Sequence, residues 1–191
     1  MRIIATDINN LTDARYFAAW GAEGMAFTID SNASGSLSGK QLKEIVDWVE
    51  GPDTMVKIEG LEIPDSLEEV KATIYINSII VGPFIDVDNL PAFDKVYRIC
   101  TLEDGWQDQK HLVLTLPFEV GKISSEQKSK IKSLTSEKEV FLDANFNASD
   151  LDEITKLGFA GIILKGSKEE KVGYKSYDQL DEILESISDN F

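Results

Sequence analysis

Few residues of this chain combine a reactive type with a place where a ligand could reach them. Asn145 and the turn Lys165-Gly166-Ser167 each follow a short apolar run that reads as a strand and precede a helical stretch. Their backbone N–H groups, close to helix starts, together with the Lys165 ammonium, form the kind of cradle that holds a phosphate. Asp143, two residues before Asn145, opposes this, because a carboxylate there would repel an anion. Asp7 ends the first apolar run, and if the first and last strands of a closed sheet meet, Asp7 and Lys165 become neighbours, expected as an ion pair. His111, the only histidine, and Cys100, the only cysteine, stand alone, the first expected at an exposed strand start and the second as a buried thiol. No His, Cys or carboxylate group has metal-ligand spacing, so no metal and no cofactor is expected.

Elements must position these residues, and the pattern for them is regular. The opening IIATDINNLTDARYFAAWGAEGMAF, residues 3 to 27, reads as a strand, a helix capped by Asn10 and a second strand. Three further helix starts carry Ser-x-x-Gln capping boxes at Ser38 and Gln41, Ser124 and Gln127, and Ser176 and Gln179. Asn147 marks another. Strands are expected over Ile3 to Ile8, Met25 to Ile29, Met55 to Ile58, Ser78 to Val81, Val96 to Cys100, Leu112 to Leu116, Val140 to Leu142 and Gly161 to Leu164. A helix or a shortened helical turn follows each, with too little chain after the fourth and fifth strands for full helices. Such βα alternation predicts parallel strands under a layer of helices, and eight units point to a compact α/β (β/α)8 TIM barrel spanning residues 1–191 as one domain. An open doubly wound sheet is the other arrangement that fits.

Composition narrows the partners. With 191 residues the chain can bury one substantial core, and a formal charge of -15 gives a field that repels nucleic acid and anionic membrane surfaces. No nucleic acid and no membrane partner is expected. The single cysteine fits a reducing, cytoplasmic setting, and the absence of an apolar run near 20 residues leads us to expect a soluble, unprocessed protein.

At this level of detail the chain resembles the phosphoribosylanthranilate isomerases of tryptophan biosynthesis. Those enzymes carry Asn-Leu-x-Asp-Ala in their first helix, matched by Asn10-Leu11-Thr12-Asp13-Ala14. Their Gly-Ala-Asp-x-x-Gly-Phe turn is matched by Gly21-Ala22-Glu23-Gly24-Met25-Ala26-Phe27. Leu142-Asp143-Ala144-Asn145-Phe146-Asn147 stands where the family has Ser-Gly-Gly-Leu-Asn, and Val172-Gly173-Tyr174-Lys175 resembles its Pro-Gly-x-Lys ending. The resemblance implies an Amadori rearrangement in which a cysteine on the first strand is general base and an aspartate on the sixth is general acid. Here Thr6 and Thr115 occupy those positions, and a threonine hydroxyl exchanges no proton near neutral pH without an activating base. The family's Gln-Leu-His-Gly has become Ile79-Ile80-Val81-Gly82, and the arginine expected after the second strand has no counterpart in residues 31 to 36. What the resemblance leaves best preserved is the phosphate corner of Asn145, Lys165, Gly166 and Ser167.

Three function classes follow. The first is a barrel without the standard isomerisation that still binds a small phosphorylated metabolite. The second is an active isomerase, or a relative acting on a phosphorylated sugar, with Asp7 and Asp143 as replacement catalytic residues. The third is a non-catalytic interaction scaffold.

Overall fold

The computed structural model describes residues 1–30, 33, 35–104, 108–166 and 176–190. Its elements run β1 (Arg2–Thr6), α1 (Leu11–Ala19), β2 (Gly24–Thr28), α2 (Gly39–Val46), β3 (Asp53–Ile58), α3 (Ser66–Thr73), β4 (Ser78–Val81), β5 (Lys95–Cys100), β6 (His111–Glu119), α4 (Ser125–Glu137), β7 (Glu139–Asn145), α5 (Leu151–Lys156), β8 (Gly161–Lys165) and α6 (Asp178–Asn190). The strands follow chain order, and β8 closes onto β1. Closure pairs Arg2 with Gly161 and Thr6 with Lys165 in parallel register. It depends on bare backbone at Gly161, where a Cβ would run into the Arg2 carbonyl and the Phe141 ring.

Helix starts are set by local chemistry. Asn10 accepts from the Asp13 N–H, and the boxes at Ser38 and Ser124 are both closed by their glutamines. Ser176 accepts from the Asp178 N–H at the start of α6. Several strand ends differ from the sequence reading, among them β3, which starts at Asp53, and β7, which runs Glu139–Asn145; two bear on the mouth. The first strand stops at Thr6 and not at Ile8, because Asp7 turns the chain with φ of 56°, the left-handed region that ends a strand. The sixth strand runs on to Glu119 through an irregular pairing with β7 between Thr115 and Glu119. After β4 only a 3-10 turn forms at Val87–Asn89. There the Arg98 guanidinium donates to the carbonyls of Gly82, Pro83 and Ile85, which leaves the short connection ordered without a helix.

Two apolar layers build the core. One residue from each strand fills the barrel: Ile4, Ala26, Met55, Ile80, Tyr97, Val113, Phe141 and Ile163. The alternate residues, such as Ile3, Phe27, Val56 and Leu142, pack outward under the helices. Period-2 alternation then decides what lies above and below the inner ring. Two residues towards the N-terminal end come Arg2, Lys95, His111 and Glu139, and the Glu139 carboxylate accepts from Arg2 at 2.6 Å, His111 at 2.8 Å and Tyr97 at 3.2 Å. His111 is therefore half-buried in an ionic plug, and not simply exposed as its position suggested. Two residues the other way, the inner face carries Thr6, Thr28, Lys57, Thr115, Asp143 and Lys165, which form the floor of the barrel mouth.

Candidate functional site at the barrel mouth

The floor holds three threonines, of which Thr6 and Thr115 stand at the expected acid-base positions, and two lysine-carboxylate groups. Thr6 is 2% exposed, and its Oγ1 is the one buried side-chain polar atom among the described residues with no hydrogen-bond partner. Thr115 is half-buried and sits in register beside Asp143 of β7. Neither hydroxyl has a basic side chain bonded to it that could take its proton.

The ion pairs fall differently from the expectation. Lys165 does not join Asp7; its Nζ lies 2.8 Å from Asp143 Oδ1 on the neighbouring strand. Asp7 instead meets Lys57 of β3, at 3.2 Å, and Lys57 also meets Glu59 at 3.2 Å. The reason is geometric. Lys165 shares the inner face with Asp143, whereas Asp7 lies beyond the end of β1 and its positive φ turns it off the strand path. Lys57 points inward and is 6% exposed. Burial alone would lower its pKa, but the charges of Asp7 and Glu59 outweigh that and hold it above the ordinary lysine value. It is an ammonium at neutral pH, able to donate and to stabilise negative charge, but not a nucleophile.

At the ends of β7 and β8 a cavity of about 620 Å³ opens, lined among others by Asp143, Asn145, Lys165, Ser176 and Gln179. Glu119 and Asp150 also line it, and among the described residues Lys165 alone contributes a positive side chain there. Gly166 does not line the cavity; its N–H donates to the Thr6 carbonyl at 2.8 Å, and a Cβ on it would press against the Asp7 carbonyl and the Asp13 carboxylate. That N–H is consumed in closing the barrel. Ser167 and the stretch 172–175 lie outside the described residues. Asp150 already accepts from the Asn147 N–H, so one of the backbone donors beside the cavity is also taken.

The motif Asn10-x-x-Asp13-Ala14 turns out to be scaffold. Asp13 is fully buried, accepts from Asn10 Nδ2 at 2.8 Å and from the Tyr177 hydroxyl, and so ties α1 to the segment before α6. Tyr16 stacks on Tyr177 with ring centres 4.2 Å apart and donates to Asp181 at 2.6 Å. Cys100 is buried at the end of β5, and burial, with Asp104 nearby, pushes its thiol up to about 12. The Lys57 cluster and the unmet Thr6 hydroxyl were not found from the sequence. The only signal was a lysine inside an otherwise apolar strand.

Among the described residues no cluster of three or more His, Cys, Asp or Glu could hold a metal ion, and no helix is long and apolar enough to cross a membrane.

By sequence, no protein-family model and no curated protein matches the chain. Solved structures do match it in shape. The phosphoribosyl anthranilate isomerase of Thermus thermophilus superposes with a TM-score of 0.75 at 16% identity over 99% of each chain. A phosphoribosyl anthranilate isomerase in complex with reduced 1-(O-carboxyphenylamino)-1-deoxyribulose 5-phosphate gives 0.72 at 12% identity over 99% of each chain. A thiamine phosphate pyrophosphorylase of Pyrococcus furiosus gives 0.65 at 14% identity, covering 98% of this chain and 96% of that one. The chain thus has, from end to end, the (β/α)8-barrel fold of the phosphoribosylanthranilate isomerases.

Proposed function

We propose that this chain is a divergent phosphoribosylanthranilate isomerase-like barrel that does not carry out the standard Amadori rearrangement and retains weak binding of a small phosphorylated, sugar-type ligand. The observation that carries the reading is a mouth in which the cavity persists at the ends of β7 and β8 while both expected acid-base positions hold threonine. Positioned acid and base groups each contribute about 100- to 10,000-fold, so losing both leaves little turnover. Lys165 supplies the positive charge for a phosphate and Asn145 adds a polar side chain beside it. Their acidic surroundings limit the affinity to about the millimolar to tens-of-micromolar range.

A second reading, an active isomerase using Asp7 and Asp143, is favoured by one feature: Asp7 holds a left-handed backbone that a glycine would adopt more easily. Against it, each carboxylate is already engaged by a lysine. Purified protein assayed with phosphoribosylanthranilate separates the two. Turnover near about 1 per second, inside the ordinary enzyme range, would overturn the non-catalytic reading. Titration with ribose 5-phosphate, followed by amide NMR, tests the binding half, with Lys165→Ala as control. Shifts that avoid residues 143–147 and 165–166 would favour the scaffold class.

A further inference from the structure

We infer that the β3–β4 edge of the mouth is a docking surface for a basic, amphipathic segment of another protein. It lies four strands round the barrel from the cavity at β7 and β8, so it stands apart from the ligand proposed above.

Two consecutive connections build the surface. The chain leaves β3 through residues 59–65 and β4 through residues 82–94. They start side by side, where the Gly82 N–H donates to the Ile58 carbonyl at 2.7 Å and a Cβ on Gly82 would press on the Glu59 backbone. Two residues beyond that junction each connection presents one large apolar side chain to solvent, Leu61 at 73% and Phe84 at 74% exposure. The turn that carries Phe84 is fixed from below. The Arg98 guanidinium donates to the carbonyls of Gly82, Pro83 and Ile85, and the Ile85 side chain is buried. An arginine that holds three carbonyls around one phenylalanine sets the ring out from ordered backbone, which lowers the ordering cost of binding.

Charge says what covers this surface. Glu59, Glu62, Asp65, Asp86 and Asp88 are exposed on the same two connections, and neither stretch contains a lysine or an arginine. The cations beneath are engaged, Lys57 between Asp7 and Glu59 and Arg98 on its three carbonyls. Apolar side chains ringed by acids alone match a partner whose apolar face is flanked by lysine or arginine. A second copy of this chain does not fit, because a two-fold contact sets the patch against itself and brings acids face to face. Nucleic acid and anionic lipid are repelled by the same carboxylates.

The test is an amide NMR titration of the whole chain with a helical peptide of leucine and lysine whose leucines share one face, and with a scrambled peptide of the same composition. We expect the amphipathic peptide to bind about tenfold tighter than the scrambled one, with shifts concentrated in residues 59–65 and 82–88. Leu61→Ser and Phe84→Ser should each weaken it about tenfold. Trp48→Ser and Tyr75→Ser remove other exposed apolar side chains, just before β3 and β4 begin at the opposite end of the barrel, and should leave binding unchanged. Salt at about 0.5 M should weaken binding to wild-type protein. Equal affinity for the two peptides, shifts that avoid both connections, or undiminished binding by Phe84→Ser overturns the docking surface. So does self-association of the free chain that Phe84→Ser abolishes, or attachment to phosphatidylcholine vesicles through the same residues, since either gives the apolar pair to a different occupant.

Discussion

Glu139→Gln tests the ionic plug at the closed end of the barrel. Burial would raise the Glu139 pKa, but hydrogen bonds from Arg2 and His111 and the charges of Arg2 and Lys95 win, pulling the carboxyl from 4.5 to about 2. At about 1.4 kcal/mol per unit this corresponds to about 3 kcal/mol as an upper bound. Its partners are not deeply buried, with the Arg2 and Lys95 side chains 35% and 38% exposed, so solvent screening reduces the contribution to about 1–2 kcal/mol. Arg2 keeps its bond to Glu23 in the variant, which limits the penalty of an unpaired cation. Urea unfolding with linear extrapolation should show Glu139→Gln less stable by about 1–2 kcal/mol at pH 7, with an unchanged m-value and a Tm lower by about 3–6 °C. The pH dependence has a definite sign. A depressed carboxyl pKa stabilises fully above the unfolded value and loses that stabilisation as pH falls through the folded one. The gap between wild type and variant should stay constant from pH 8 to 5 and close between about 4.5 and 2. A gap below about 0.5 kcal/mol at pH 7, or one still undiminished near pH 2.5, would refute the electrostatic account of this end of the barrel.

Gly161→Ala should destabilise the closure of β8 on β1 by about 2–3 kcal/mol, since its methyl would meet the Arg2 carbonyl and Phe141; a melting temperature within a degree of wild type would contradict this. Lys57→Met should destabilise by about 1 kcal/mol, because it removes the cation shared by Asp7 and Glu59 and leaves the two carboxylates facing each other, a cost that their half-exposure limits. Stability in urea equal to or above wild type would show that burying the ammonium costs as much as its two pairs return. The Cys100 thiol, pushed up to about 12 and buried, should resist disulfide-exchange reagents in native protein at pH 8 and react fully once unfolded; complete labelling of folded protein within minutes would count against its burial.

How far the mouth could be read in advance depends on the range of the interactions that build it. The Asn10-to-Ala14 motif was legible as a helix start, because an N-cap bonds a backbone group only three residues away. Its aspartate was legible only as part of the first-helix motif, and its bond from the Tyr177 hydroxyl, 164 residues along the chain, forms only in the folded barrel. Gly166 was readable as a turn, but the carbonyl of Thr6, reached only when the barrel closes, consumes its N–H.

By itself the sequence determined the eight strands, the capped helices and the thin connections after the fourth and fifth strands. Those features rest on spacing within a few residues, where alternation and hydrogen bonds between near neighbours decide. Which charges meet was decided by the tertiary structure alone. Asp7 and Lys165 look like partners from their strand ends, yet the inner-face register gives Lys165 to Asp143, and the turn at Asp7 leaves that carboxylate to Lys57. Pairing of charges across a barrel depends on strand stagger and on which face each side chain takes, and both are settled only when the first strand meets the last.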